Sequence, residues 1–176
     1  MLRTLFVLGV VAATLAIVSV ASAASPHYKG GKNAGPSFTD TGLTLTAAGS
    51  VSGLGNADVL ITVTAVGDPT ALCTNPGDQS KVPGQNPAPA EVTGSQAIPA
   101  SEVKNGNLSF SLATEAPESP IPGAPDCPNP GWTETITDMA FTSVTLTIEQ
   151  PAGTVIGSLT VSCSFDATSN GDVVSC

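Results

Sequence analysis

The chain has 176 residues, with 14 Asp and Glu against five Lys and Arg, for a formal net charge of −9. Such a balance repels phosphate backbones, and Lys29, Lys32, Lys81 and Lys104 are scattered, so nucleic-acid binding is excluded. One Trp and one Tyr are too few for the flat row of rings that a carbohydrate-binding module usually presents.

Residues 1–24 read as a signal peptide. Arg3 starts a stretch whose apolar run, residues 5–20, is followed by the small-x-small pattern Ala21-Ser22-Ala23. The run is about 16 residues, short of the roughly 20 that cross a hydrocarbon core, and Ser25-Pro26 stops a helix. A cleaved leader is therefore expected over a transmembrane anchor, and no Cys follows it at a lipid-attachment position. Cleavage leaves about 152 residues, enough for one domain with a real core, and a charge of 4 Lys minus 14 acids, or −10. The expected location is extracellular.

Residues 25–37 are polar, Gly-rich and without period, a flexible lead-in to a single domain spanning 38–176. Leu43, Leu45 and Ala47 then alternate, with a bulge expected near Ala48-Gly49 before Val51. Residues 56–66 are the clearest strand, with Val59, Ile61, Val63 and Ala65 on one face. The Gly53-Leu54-Gly55-Asn56 segment makes these two strands a hairpin candidate. Residues 67–90 read as a loop of two dozen residues tied by Cys73, a length that is uncommon unless functional or anchored.

Residues 91–101 form a weak strand that Pro99 demotes to an edge. Lys104-Asn105-Gly106 is a turn signal, and Leu108, Phe110 and Leu112 alternate after it. A second excursion, residues 115–131, carries six prolines and Cys127. Residues 133–148 form one long β region in which Ile136 and Met139 lose phase with Val144, Leu146 and Ile148, which predicts a bulge or corner near Thr142-Ser143. Leu159, Val161, Cys163 and Phe165 align in the last long strand. No stretch after the leader has helical period. Seven or eight short strands with Pro/Gly turns predict an all-β fold, an antiparallel β-sandwich of immunoglobulin-like or similar type, with an open barrel as the alternative.

Four cysteines in an exported chain imply two disulfides with three possible connectivities. If residues 168–171 make a four-residue turn, Cys163 lies directly opposite Cys176 at a bridgeable distance. Cys73 and Cys127 then pair by elimination. A metal site on these thiols is disfavoured, because no CxxC spacing occurs and His27, the one histidine, is far from all four.

Residue patterns that carry catalytic or metal chemistry are sparse in this sequence. His27 lies in the lead-in, where a Ser-His-Asp site has no rigid support, and a copper site of the two-His type lacks its second histidine. Glu134 and Asp138 share strand parity at about 13 Å, too far for the paired acids of a glycosidase. Asp58, Asp68 and Asp126 are the acids weighed for a calcium cage, without any DxDxDG run in support; no other cofactor is expected. Asn107-Leu108-Ser109 matches the N-glycosylation acceptor pattern.

The start Ser25-Pro26-His27-Tyr28, the Gly53-Leu54-Gly55-Asn56 turn, the Cys73 segment ending in Asn86-Pro87 and the Pro-rich Cys127 segment before a Thr-rich hairpin belong together. This set resembles a group of uncharacterised small secreted proteins, mostly bacterial, with a Ser-Pro-His mature start. The resemblance implies secretion and a β-sandwich and brings no activity. The expected function is a non-enzymatic extracellular binding module or a structural module of envelope or matrix, meeting an extracellular protein or glycan. Its candidate surface is the two Pro-rich excursions, with Asp78, Lys81, Asn86, Asp126, Asn129 and Trp132. A small hydrolase using loop carboxylates is the alternative expectation.

Overall fold

The computed structural model describes residues 25–31, 34–78, 81–84, 87–123, 125–153 and 158–176. The expected leader and Asn86 lie outside the described residues. Two antiparallel sheets pack face to face, with no α-helix among the described residues. In the first sheet β3 (Leu45–Ser52) is central. It pairs with β1 (His27–Tyr28) and β2 (Ser37–Asp40) along one side and with β7 (Leu108–Ala113) along the other. β10 (Val173–Ser175) adds to β2. In the second sheet β4 (Val59–Thr74) and β8 (Thr133–Glu149) form the spine. β6 (Ala90–Ile98) and β5 (Lys81–Pro83) flank β4, and β9 (Leu159–Ser164) flanks β8. A short 3₁₀ turn, Ala100–Glu102, follows β6.

Alternation builds the core. Phe38, Leu45, Ala47 and Val51 point inward from the first sheet and meet Val59, Ile61, Val63, Ala65, Phe141, Leu146 and Ile148 of the second. These side chains are almost wholly removed from water, each worth about 1.5–3 kcal/mol for the larger ones. Phase is lost along β8 because it carries two residues more than its partner. Val66 faces Ser143 while Gly67 faces Phe141, and Thr70 faces Asp138 while Ala71 faces Ile136. Thr142 and Thr137 are thus the extra residues of two bulges, and each switches which parity faces the core. The bulge expected at Thr142-Ser143 is present; the second, at Thr137, was not anticipated.

Several local expectations are corrected. No bulge interrupts β3, whose register against β7 is continuous from Thr46 to Val51. Gly49 occupies an inward position, and a Cβ there would lie 2.8 Å from the Phe110 ring, which fills the space instead. The strands around Gly53-Asn56 are not a hairpin. β3 and β4 belong to different sheets, and the buried Gln150 amide holds the crossing chain by donating to Gly55 O (3.0 Å) and Ala57 O (2.7 Å). Residues 67–90 are not one long loop, since β4 continues to Thr74 with Gly67, Pro69, Ala71 and Cys73 still on the buried parity. Pro69 is tolerated beside the bulged stretch of β8, where β6 has already ended. The lead-in includes β1, with Lys29 N donating to Ser50 O at 2.8 Å.

Both side seams of the sandwich are sewn. At one, Gly94 of β6 lies so near β7 that a Cβ there would stand 2.1 Å from Ala113 O, and Glu115 N donates to Thr93 O at 3.0 Å. At the other, Cys163 and Cys176 form a disulfide with a Cα separation of 5.9 Å. The pairing is as expected but its geometry is not: β9 joins β8 and β10 joins β2, so the bond links the two sheets rather than the arms of one hairpin. Beside it the buried Thr168 hydroxyl donates to Asp40 Oδ2 and accepts from Phe141 N at 3.0 Å. Asp40 Oδ1 accepts from Gly42 N at 2.7 Å, so this buried carboxylate is satisfied.

Candidate functional site

The spine of the second sheet outruns the first sheet. The turn before β3 reaches only to Met139, whose N donates to Gly42 O at 3.0 Å. From there β8 runs back to Thr133 and β4 on to Thr74, an overhang of roughly 17–20 Å at the rise of a strand. Its inward side chains, Ala71, Cys73, Glu134 and Ile136, are nevertheless buried. Loops supply the cover. Cys73 is inward and bonded to Cys127 (Cα separation 5.6 Å), which pins the Pro-rich excursion across this face. Ile121 N donates to Glu134 O at 2.8 Å, and the Ser119 hydroxyl accepts from Ile136 N at 3.1 Å. On the other side, Gly84 N donates to Ala71 O at 2.8 Å.

This arrangement collects five of the sequence-predicted residues, Asp78, Lys81, Asp126, Asn129 and Trp132, at one end of the molecule. Asp78 and Lys81 stand in the hairpin after β4, both exposed, with a 3.8 Å ion pair worth little in water. Asp126 is half-buried beside Cys127, and Asn129 is exposed. Asn129 Oδ1 accepts from Gly131 N at 3.2 Å, and Trp132 N donates to Asn129 O at 3.0 Å, a turn that delivers the half-buried Trp132 to the head of β8. Cys73 itself is in a strand and not in a loop as expected.

Other candidates separate. Asp58 precedes β4 and accepts from Ala100 N at 2.9 Å, a strand's length from Asp126. Asp68 is exposed in mid-strand, and no group of three or more His, Cys, Asp or Glu fit to hold a metal occurs among the described residues. The calcium cage is not assembled. His27 is exposed, with Nδ1 at 2.9 Å from Ser25 O. The Asn107 amide donates to Asn105 O (2.9 Å) and Lys104 O (3.3 Å) as part of its turn.

Glu134 and Asp138 do not share a face, because the Thr137 bulge turns Glu134 inward and leaves Asp138 half-buried on the other parity. Glu134 is the residue that sequence reasoning placed wrongly. Its side chain is 0 % exposed, and neither carboxylate oxygen meets a hydrogen-bond donor among the described residues. A Cβ at Gly84 would lie 3.1 Å from Oε1, so the absence of a side chain there lets the backbone close over the carboxylate. The available signal was the lost phase between Ile136 and Met139, which locates the bulge once β4 is known to continue past Gly67. No helix among the described residues is long and apolar enough to cross a membrane. Comparison with protein-family models, with curated proteins and with solved structures returns no match.

Proposed function

We propose that the protein is exported and acts outside the cell as a non-enzymatic binding module, with the overhanging end of the second sheet as its recognition surface. One observation carries this reading: the Pro-rich excursion of residues 115–131, with Asp126, Asn129 and the adjoining Trp132, is tied by Cys73–Cys127 to the overhanging end of β4, which the hairpin bearing Asp78 and Lys81 caps. Loops on a rigid sheet scaffold are where recognition is usually built, and Pro-rich walls lose little entropy on binding. The leader pattern of residues 1–24 and two disulfides, which persist in oxidising compartments, support export. The partner is an extracellular protein or glycan, as free ligand or as part of the envelope or matrix.

The test incubates the oxidised protein with cell-wall, glycan and cell-surface preparations and measures what is retained. Trp132→Ala and Asn129→Ala should reduce retention, whereas Glu102→Gln, at the opposite end of the sandwich, should not. Equal retention by all three variants and the parent would refute the reading.

A further inference from the structure

We propose that Glu134 is the recognition carboxylate of this end and that it takes the cationic head of a lysine or arginine side chain presented by a protein partner. The inference rests on the overhang being a binding surface and names its partner chemistry.

The buried carboxylate is the anomaly that carries it. An ionised carboxylate only accepts hydrogen bonds, and in the interior it is tolerated when donors or an opposite charge meet it. Asp40 shows what this chain does with a structural buried acid, meeting it with Gly42 N and the Thr168 hydroxyl. Glu134 is as deeply buried and meets neither kind of donor among the described residues, although Ala71, Cys73 and Ile136 around it make an ordinary apolar position. A residue that breaks the rule of its own surroundings, without compensation among the described residues, is what a binding site leaves for its ligand.

Charge and shape select the ligand. Among the described residues the rim carries Asp78 and Asp126 against a single cation, the exposed Lys81. The surrounding field therefore favours a cation. Trp132 is half-buried two residues before Glu134, and an aromatic ring is the kind of neighbour that ammonium and guanidinium groups prefer. Depth decides between sources of that charge. To reach a carboxylate beneath Gly84, the ligand needs a charged head on a long, thin apolar stem, which a Lys or Arg side chain has and an amino sugar lacks.

Trp132 is the single Trp and reports locally. The oxidised protein is titrated with acetyl-lysine amide, acetyl-arginine amide, glucosamine and acetyl-norleucine amide while Trp132 emission is followed. A saturable change is expected with the lysine or arginine probe and none with the other two. Glu134→Gln should weaken it by at least about 30-fold, as expected for loss of one partner of a buried charge pair, while raising thermal stability. Gly84→Ala, which places a methyl against the carboxylate, should weaken the probe without touching Glu134 and serves if the first variant fails to fold. No response to either basic probe, an unchanged response in both variants, or a response to glucosamine alone overturns the inference. If Trp132→Ala loses cell-surface retention while Glu134→Gln keeps it, this inference fails and the binding surface stands. If neither variant loses retention, the surface itself is wrong.

Discussion

Removing the Cys73–Cys127 bond by Cys73→Ala with Cys127→Ser isolates what that bond does. Ala suits position 73 because the side chain is fully buried, and Ser suits the half-buried position 127. With a sequence separation of 54 between the partners, the chain-entropy model assigns about 4 kcal/mol to closing this loop in the unfolded state. The 13-residue separation of Cys163 and Cys176 yields about 3 kcal/mol by the same arithmetic. For a domain of this size about 4 kcal/mol corresponds to a melting point lower by roughly 8–16 °C, and it is a large part of a typical total of about 5–15 kcal/mol. Urea unfolding followed by near-UV circular dichroism measures both double variants against the oxidised parent. Loss of the longer loop should cost more. If the Cys163/Cys176 variant is the less stable by over about 1 kcal/mol, loop length is not what governs these bonds, and the joining of the sheets at the β9–β10 seam outweighs it.

Three further outcomes are expected. Gly94→Ala should destabilise by about 1–3 kcal/mol or more, because the added methyl would sit 2.1 Å from the backbone oxygen of Ala113 and the sheets must part to admit it. A melting point equal to the parent's would show that the β6–β7 seam yields freely. Thr168→Val should lose about 2–4 kcal/mol in urea, since Phe141 N and Asp40 Oδ2 both lose a buried partner; a loss under about 1 kcal/mol would contradict that network. Tyr28 is the one tyrosine, and burial pushes its phenol from 10.0 up to about 12. The fold prefers the neutral phenol, so its contribution is whole below pH 10 and is lost as pH rises through about 12. Tyrosinate absorbance in the folded protein should appear near that upper value and near 10.0 in denaturant; coincident titrations would refute the burial of the ring.

The strand inventory was legible where alternation ran unbroken. Val59, Ile61, Val63 and Ala65 announce β4, and Leu108, Phe110 and Leu112 announce β7, because a half-buried strand must repeat every two residues. Reading failed where local chemistry and tertiary pairing disagree. Gly67, Asp68 and Pro69 look like a turn, yet they continue β4 because the bulged β8 pairs them through Phe141, Ala140 and Met139. Gly49 looks like a break and is a seat for the Phe110 ring. Of the candidate surface, the gathering of Asp126, Asn129 and Trp132 followed from the Cys73–Cys127 pairing, whereas Glu134 was hidden by a single extra residue at Thr137.

The sequence by itself determined that this is an all-β chain and which side chains on its regular strands face inward, and both follow from local periodicity. The cysteine pairing matched the structure, but the hairpin from which it was inferred is absent, so only the folded chain decided it. Which strands share a sheet was decided only by the tertiary structure, because a turn such as Gly53-Leu54-Gly55-Asn56 serves a hairpin and a crossing between sheets equally well. The depth of Glu134 was decided there too. A strand's parity is relative to its partner, and only pairing with β4 reveals the extra residue that turns this carboxylate from solvent to the interior.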